Sequence, residues 1–110
     1  MEAKVVFHQD VPEQDLGGGT SRRVLAYNET LMIVEVNFRK GAVGTVHTHP
    51  HHQNTYVRSG RFRFNIDGRD VEVKEGDTIA FPSNIPHGTL CLEAGTLLDI
   101  FTPMREDFVK

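Results

Sequence analysis

The chain has 110 residues, 25% of them charged and 38% hydrophobic, which describes one domain with a continuous core and excludes a disordered segment. A net charge of −3 argues against a surface for non-specific nucleic-acid binding, which needs a basic excess. The single cysteine, Cys91, cannot close an internal disulfide, and no apolar run approaches the roughly 18 residues that cross a bilayer.

In chain order, the amino terminus MEAKVVFHQD lacks the apolar stretch of a secretory signal, so a cytoplasmic protein is expected. His8 reads as a structural or surface residue of a first strand, and PEQDLGGGTSRR (12–23) as the one glycine-rich loop. Short runs rich in Val, Ile, Phe and Thr then recur between turns that carry glycine and charge. LMIVEVNF (31–38) puts Met32, Val34, Val36 and Phe38 on one face. RFRFNI (61–66) opposes Phe62, Phe64 and Ile66 to Arg61, Arg63 and Asn65; Arg58, Arg61 and Arg63 read as a solvated or interface face. Asp67-Gly68 is a hairpin turn signal, with VEV (71–73) as the returning strand. TIAF (78–81), HGTLCL (87–92) and GTLLDIFT (95–102) continue the series, and the tail REDFVK makes at most one helical turn. Cys91, between Leu90 and Leu92 with no flanking cation, reads as a small buried hydrophobe and not a nucleophile. Many similar strands with regular turns predict an all-β, antiparallel sandwich or barrel, one domain over residues 1–110.

Four of the six histidines fall in HTHPHHQ. On a strand, His47 and His49 point the same way, Pro50 ends the pairing, and the amide oxygen of Gln53 can swing back to the same point. His87 follows in FPSNIPHGTLC, a turn stiffened by Pro82 and Pro86. Two histidines at this spacing are, alone, more often a solvated pair. Three imidazoles and an amide make a borderline site for Zn, Ni, Fe or Mn if the fold brings them together. His51 and His52 sit in the intervening turn, where at most one can face a cavity; solvent or outer hydrogen bonding suits both.

These residues resemble the cupin superfamily, a double-stranded β-helix or jelly-roll barrel. Gly41, His47, His49, Gln53 and Gly60 match its first motif across residues 41–60, with Gln53 where glutamate is usual. Gly76, Pro82 and His87 match the second across 76–91, with Asn84 replacing a glycine and Cys91 an asparagine. The resemblance implies one divalent ion on His47, His49, Gln53 and His87; the affinity order favours Zn or Ni over Mn or Fe. Gln53 adds no charge, so the ion keeps about its full +2, which favours a non-redox reaction on an anionic substrate.

LEAGTLLDIFTPMREDFVK, with the two histidine stretches, is similar to the small cupins of the KdgF family, which serve pectin and alginate catabolism. Such proteins linearise 4,5-unsaturated uronate monosaccharides to 5-keto-4-deoxyuronate. The resemblance implies that Asp99, Phe101 and Arg105 line the substrate pocket. Asp99 and Phe101, two apart on one strand, share a face opposite Ile100, and Arg105 follows Pro103 at the strand's end. Arg105 would hold the uronate carboxylate, Phe101 would wall the flat ring, and Asp99 would be the acid/base catalyst. Read without the resemblance, Arg105 equally pairs with Glu106 or Asp107 on the surface. An iron-dependent dioxygenase and a non-catalytic sugar-binding module are the competing functions. A homodimer with a small sugar acid as ligand, and no nucleic-acid or membrane partner, completes the expectation.

Overall fold

A computed structural model of the protein describes residues 2–110. After a 3-10 turn at His8–Asp10 come β1 (Gln14–Gly17), β2 (Thr20–Tyr27), β3 (Met32–Phe38), β4 (Val43–His47) and β5 (His52–Ile66). β6 (Arg69–Lys74), β7 (Thr78–Phe81), β8 (His87–Thr102) and a one-turn helix α1 (Glu106–Val109) complete the chain. The strands join in the order β1-β2-β3-β8-β5-β6, with β4 on β8 and β7 on β5. Every pairing is antiparallel.

The two long strands build the barrel. β8 pairs with β3 through Gly95–Phe101 and with β4 through His87–Leu90, while β5 runs beside it for nearly its whole length. Each therefore takes part in two sheet halves, and each must bend between them. The bend falls where the backbones nearly touch. A Cβ on Gly95 would lie 2.1 Å from the Ser59 carbonyl oxygen, and one on Gly60 2.6 Å from that of Glu93. Gly60 also has φ +84°, so the last glycine of the first motif answers both conformation and space.

The alternation read from the sequence marks the interior. Met32, Val34, Phe38, Phe62, Phe64 and Cys91 are buried, and Val36 and Ile66 pack partly buried against them. Asp67 and Gly68 both have positive φ, the geometry of a two-residue hairpin turn. Arg61 and Arg63 stay on the surface, paired with Glu72 and Glu93.

Four expectations change. Residues 12–23 are a hairpin, β1 and β2, with the glycines at its tip, and not a loop. HGTLCL and GTLLDIFT are one strand, because Gly95 bends β8 without ending it. RFRFNI is the far half of β5, which starts at His52. His8 lies in the 3-10 turn, where its Nε2 meets a carboxylate oxygen of Glu35 at 3.0 Å. No helix among the described residues is long and apolar enough to cross a membrane.

Candidate metal centre

The histidines converge. His47 closes β4, His49 lies two residues beyond it, and His87 opens β8 directly opposite His47 in register. One ring nitrogen from each lies within 4.8 Å of the others. His49 thus owes its place to the turn after the strand and not to strand alternation. That turn is tied down by the Asn84 N–H, which donates to the His49 carbonyl, and by the Ser83 hydroxyl, which donates to that of Pro50. Asn84 has φ +64°. Asparagine is the commonest non-glycine in that region, which explains how it stands where the family motif has glycine.

Each imidazole is held by one nitrogen. The Nδ1 of His47, His49 and His87 lies 2.8, 3.1 and 2.9 Å from the carbonyl oxygens of Thr45, His51 and Ile85. A carbonyl can only accept, so each Nδ1 carries the proton and each Nε2 presents a lone pair. Phe81 stacks on His87 with centroids 4.6 Å apart, and Phe101 meets His49 edge-on at 5.7 Å.

Gln53, at the start of β5, is buried, and its Oε1 lies 2.9 Å from His49 Nε2. Its orientation is set from behind. Gln53 Nε2 donates to Thr55 Oγ1 at 2.9 Å, and Thr55 Oγ1 donates to Asp99 Oδ1 at 2.7 Å. The amide oxygen therefore faces the imidazole, and two lone pairs stand against each other. A cation between them resolves that contact. Burial lowers the pKa of His49, so a proton is a poor candidate. A divalent ion would resolve the contact, since both atoms are good ligands for one. His47, His49 and His87 form a triad able to bind a metal, and Gln53 Oε1 is placed to join it.

A cavity of about 170 Å³ opens onto this cluster, lined among others by His47, Gln53, His87, Asp99, Phe101 and Arg105. Asp99, half-buried, reaches it from β8. Burial is the main influence on its carboxyl; against it the Thr55 and Gln53 hydrogen bonds work the other way, and the pKa is pushed up to about 6. Phe101 is buried on the same face, and Ile100 points outward as the alternation requires. Arg105 lines the mouth, but its Nε and Nη2 donate to the two Asp107 oxygens at 3.1 and 3.0 Å. The pairing with Asp107 that the sequence allowed is present, on an arginine that also lines the cavity.

Some site residues carried no sequence signal. Thr55 links the Gln53 amide to Asp99 although it looks like any strand threonine. Arg22 lines the same cavity from β2, a strand the glycine run disguised as loop. His51 packs edge-on against His49 and Phe101, with centroids 5.6 and 6.2 Å away, while His52 is exposed.

The comparisons agree with this geometry. The cupin-domain family profile matches residues 34–101. The pectin degradation protein KdgF of Dickeya dadantii is 40% identical over 102 residues, spanning 91% of this chain and 93% of that protein. A crystal structure of a RmlC-like cupin from Shewanella frigidimarina superposes with a TM-score of 0.92 at 40% identity, covering 97% of this chain and 96% of the other. KdgF from Halomonas sp. superposes with a TM-score of 0.91 at 34% identity, covering 97% and 99%. A barrel of two shared long strands, a histidine triad at one end and near full-length likeness to KdgF proteins place this chain in the cupin family, among its small KdgF-like members.

Proposed function

We propose that the protein acts in pectin or alginate breakdown as a metal-dependent enzyme that linearises 4,5-unsaturated uronate monosaccharides to 5-keto-4-deoxyuronate. The observation that carries this reading is Asp99, a carboxyl that lines the same cavity as His47 and His87 of the triad and is tied through Thr55 to Gln53. The reaction moves one proton and needs no oxidant. The anomeric O–H proton leaves, C1=O forms, the bond from C1 to the ring oxygen breaks, and the electrons become an enolate. C4 then takes a proton and the ketone forms at C5.

Asp99 can take the first proton and return it to C4, because its carboxyl lines the cavity into which the triad faces. The Thr55 hydroxyl donates to Oδ1 and fixes the carboxyl in place. Phe101 gives the flat ring an apolar wall, and Arg105 adds positive charge at the mouth, where the carboxylate enters. Bound at the triad, a divalent ion, Zn or Ni by affinity order and Mn or Fe by supply, stabilises negative charge developing on the sugar oxygens. The uncharged Gln53 supports this chemistry over an iron-dependent oxygenase. The cavity volume of about 170 Å³ lies below the ~300–1,000 Å³ of drug-sized pockets and suits a monosaccharide.

The test is to mix metal-loaded protein with freshly lyase-generated unsaturated uronate and follow the absorbance of the C4=C5 bond. The wild type is expected to outrun the spontaneous reaction. Asp99→Asn is expected to lose about 10²–10⁴-fold in rate with its metal content unchanged. A wild-type rate no faster than background, with metal verified, overturns the reading; an undiminished Asp99→Asn overturns only the choice of catalyst.

A further inference from the structure

The mouth of the cavity holds a second guanidinium that the reaction above leaves unused. Arg22, on β2, pairs in register with Val36, and both line the cavity, so the strand turns this arginine inward. Its Cζ lies 3.8 Å from the Phe108 ring centroid, and the Cζ of Arg105 lies 4.3 Å from the same centroid. Two cations share one aromatic ring, and Asp107 pairs with Arg105 and acts on Arg22 through its charge.

The two arginines are differently engaged. Arg105 spends Nε and Nη2, one whole edge of its fork, on the Asp107 carboxylate. Arg22 donates Nε to Gln14 Oε1 at 2.8 Å; among the described residues its terminal nitrogens meet no protein acceptor and it makes no ion pair. Burial lowers its pKa, Asp107 raises it, and the Arg105 charge lowers it again. Stacking on Phe108 would account for an aromatic or aliphatic side chain equally well. It does not account for a half-buried charge whose two terminal donors are left for something that enters from the cavity.

We propose that Arg22, and not Arg105, is the residue whose terminal nitrogens hold the substrate carboxylate, with Arg105 fixed by Asp107 as the second cation of the mouth. This rests on the sugar-acid reading of the cavity. Specificity for acid over neutral sugar then lies on β2, two strands from Asp99 on β8 in the same sheet.

The experiment uses metal-loaded protein and two arms. In the binding arm, calorimetry compares galacturonate with galactose, which has the same ring and no carboxylate. Wild type is expected to prefer the acid. Arg22→Gln is expected to lose about 10- to 100-fold in galacturonate affinity, with galactose unchanged, and Arg105→Gln to lose less. A wild type that does not discriminate, or an Arg22→Gln protein that keeps the preference or loses both sugars alike, overturns the proposal. Should Arg22→Gln fold poorly, Arg22→Met, which keeps the stem on Phe108, reads the same preference. In the kinetic arm, the KM of Arg22→Gln for unsaturated uronate is expected to rise by a similar factor, with kcat within about 3-fold. An Arg22-dependent preference without ring opening leaves the anchor standing and sinks the catalytic reading. Ring opening with a preference that ignores Arg22 sinks the anchor alone.

Discussion

Glu35, its side chain 1% exposed on the outer face of β3, is the most costly residue to place. Arg23 Nη1 reaches it at 2.9 Å, Arg58 Nη1 at 3.2 Å, His8 Nε2 at 3.0 Å and Asn37 Nδ2 at 3.3 Å. Burial alone would push its carboxyl up; the Arg23, Asn37 and His8 hydrogen bonds outweigh that and hold it below the ordinary 4.5. A carboxyl depressed on folding stabilises above its unfolded pKa and loses that contribution as pH falls through the folded one. Glu35→Gln is therefore expected to cost about 1–3 kcal/mol at pH 7. The gap between wild type and variant in urea melts is expected to narrow below about pH 4.5. A gap that is constant with pH would refute the assignment. Strand alternation pointed Glu35 outward, and it does point outward. What buries it comes from positions 8, 23 and 58, too distant in the chain for a local pattern to reveal.

Among the elements, β5 and β8 carry the architecture, and their crossing depends on glycine. At Gly95 the intruding atoms would be the Ser59 carbonyl carbon and oxygen and the Gly60 Cα, backbone that cannot swing aside. Gly95→Ala is expected to cost at least about 2 kcal/mol, read as a lowered urea midpoint, whereas Gly68→Ala, at an open turn tip, pays only for its positive φ of 85°. Equal losses at the two sites would contradict the crossing. The same glycines limited what the sequence disclosed. Runs of alternating apolar residues located β3, β7, the far half of β5 and both halves of β8, because one face of each meets the core. A glycine inside a strand and one at its end look alike, so β8 read as two pieces. Gly17, Gly18 and Gly19 hid the β1–β2 hairpin, and with it Arg22. The metal triad was legible because three ligands from two turns keep strict spacing; Thr55 was not, since its part depends on which strand faces Gln53.

For the molecule as a whole, we propose a homodimer, which would cover the open edges of the outer strands. Sedimentation at micromolar concentration is expected to give twice the 12.4 kDa of one chain, and a species at the single-chain mass would overturn it. The three imidazoles are each aimed by a carbonyl two residues away in their own backbone. The largest apolar cluster, from Phe38 to Leu97, is assembled without them. Folding and loading are for that reason expected to be separable, unlike those of small domains that stay unfolded until zinc arrives. A barrel whose socket is built by its own backbone is expected to give up its ion to a chelator and take another, with the far-UV spectrum unchanged throughout.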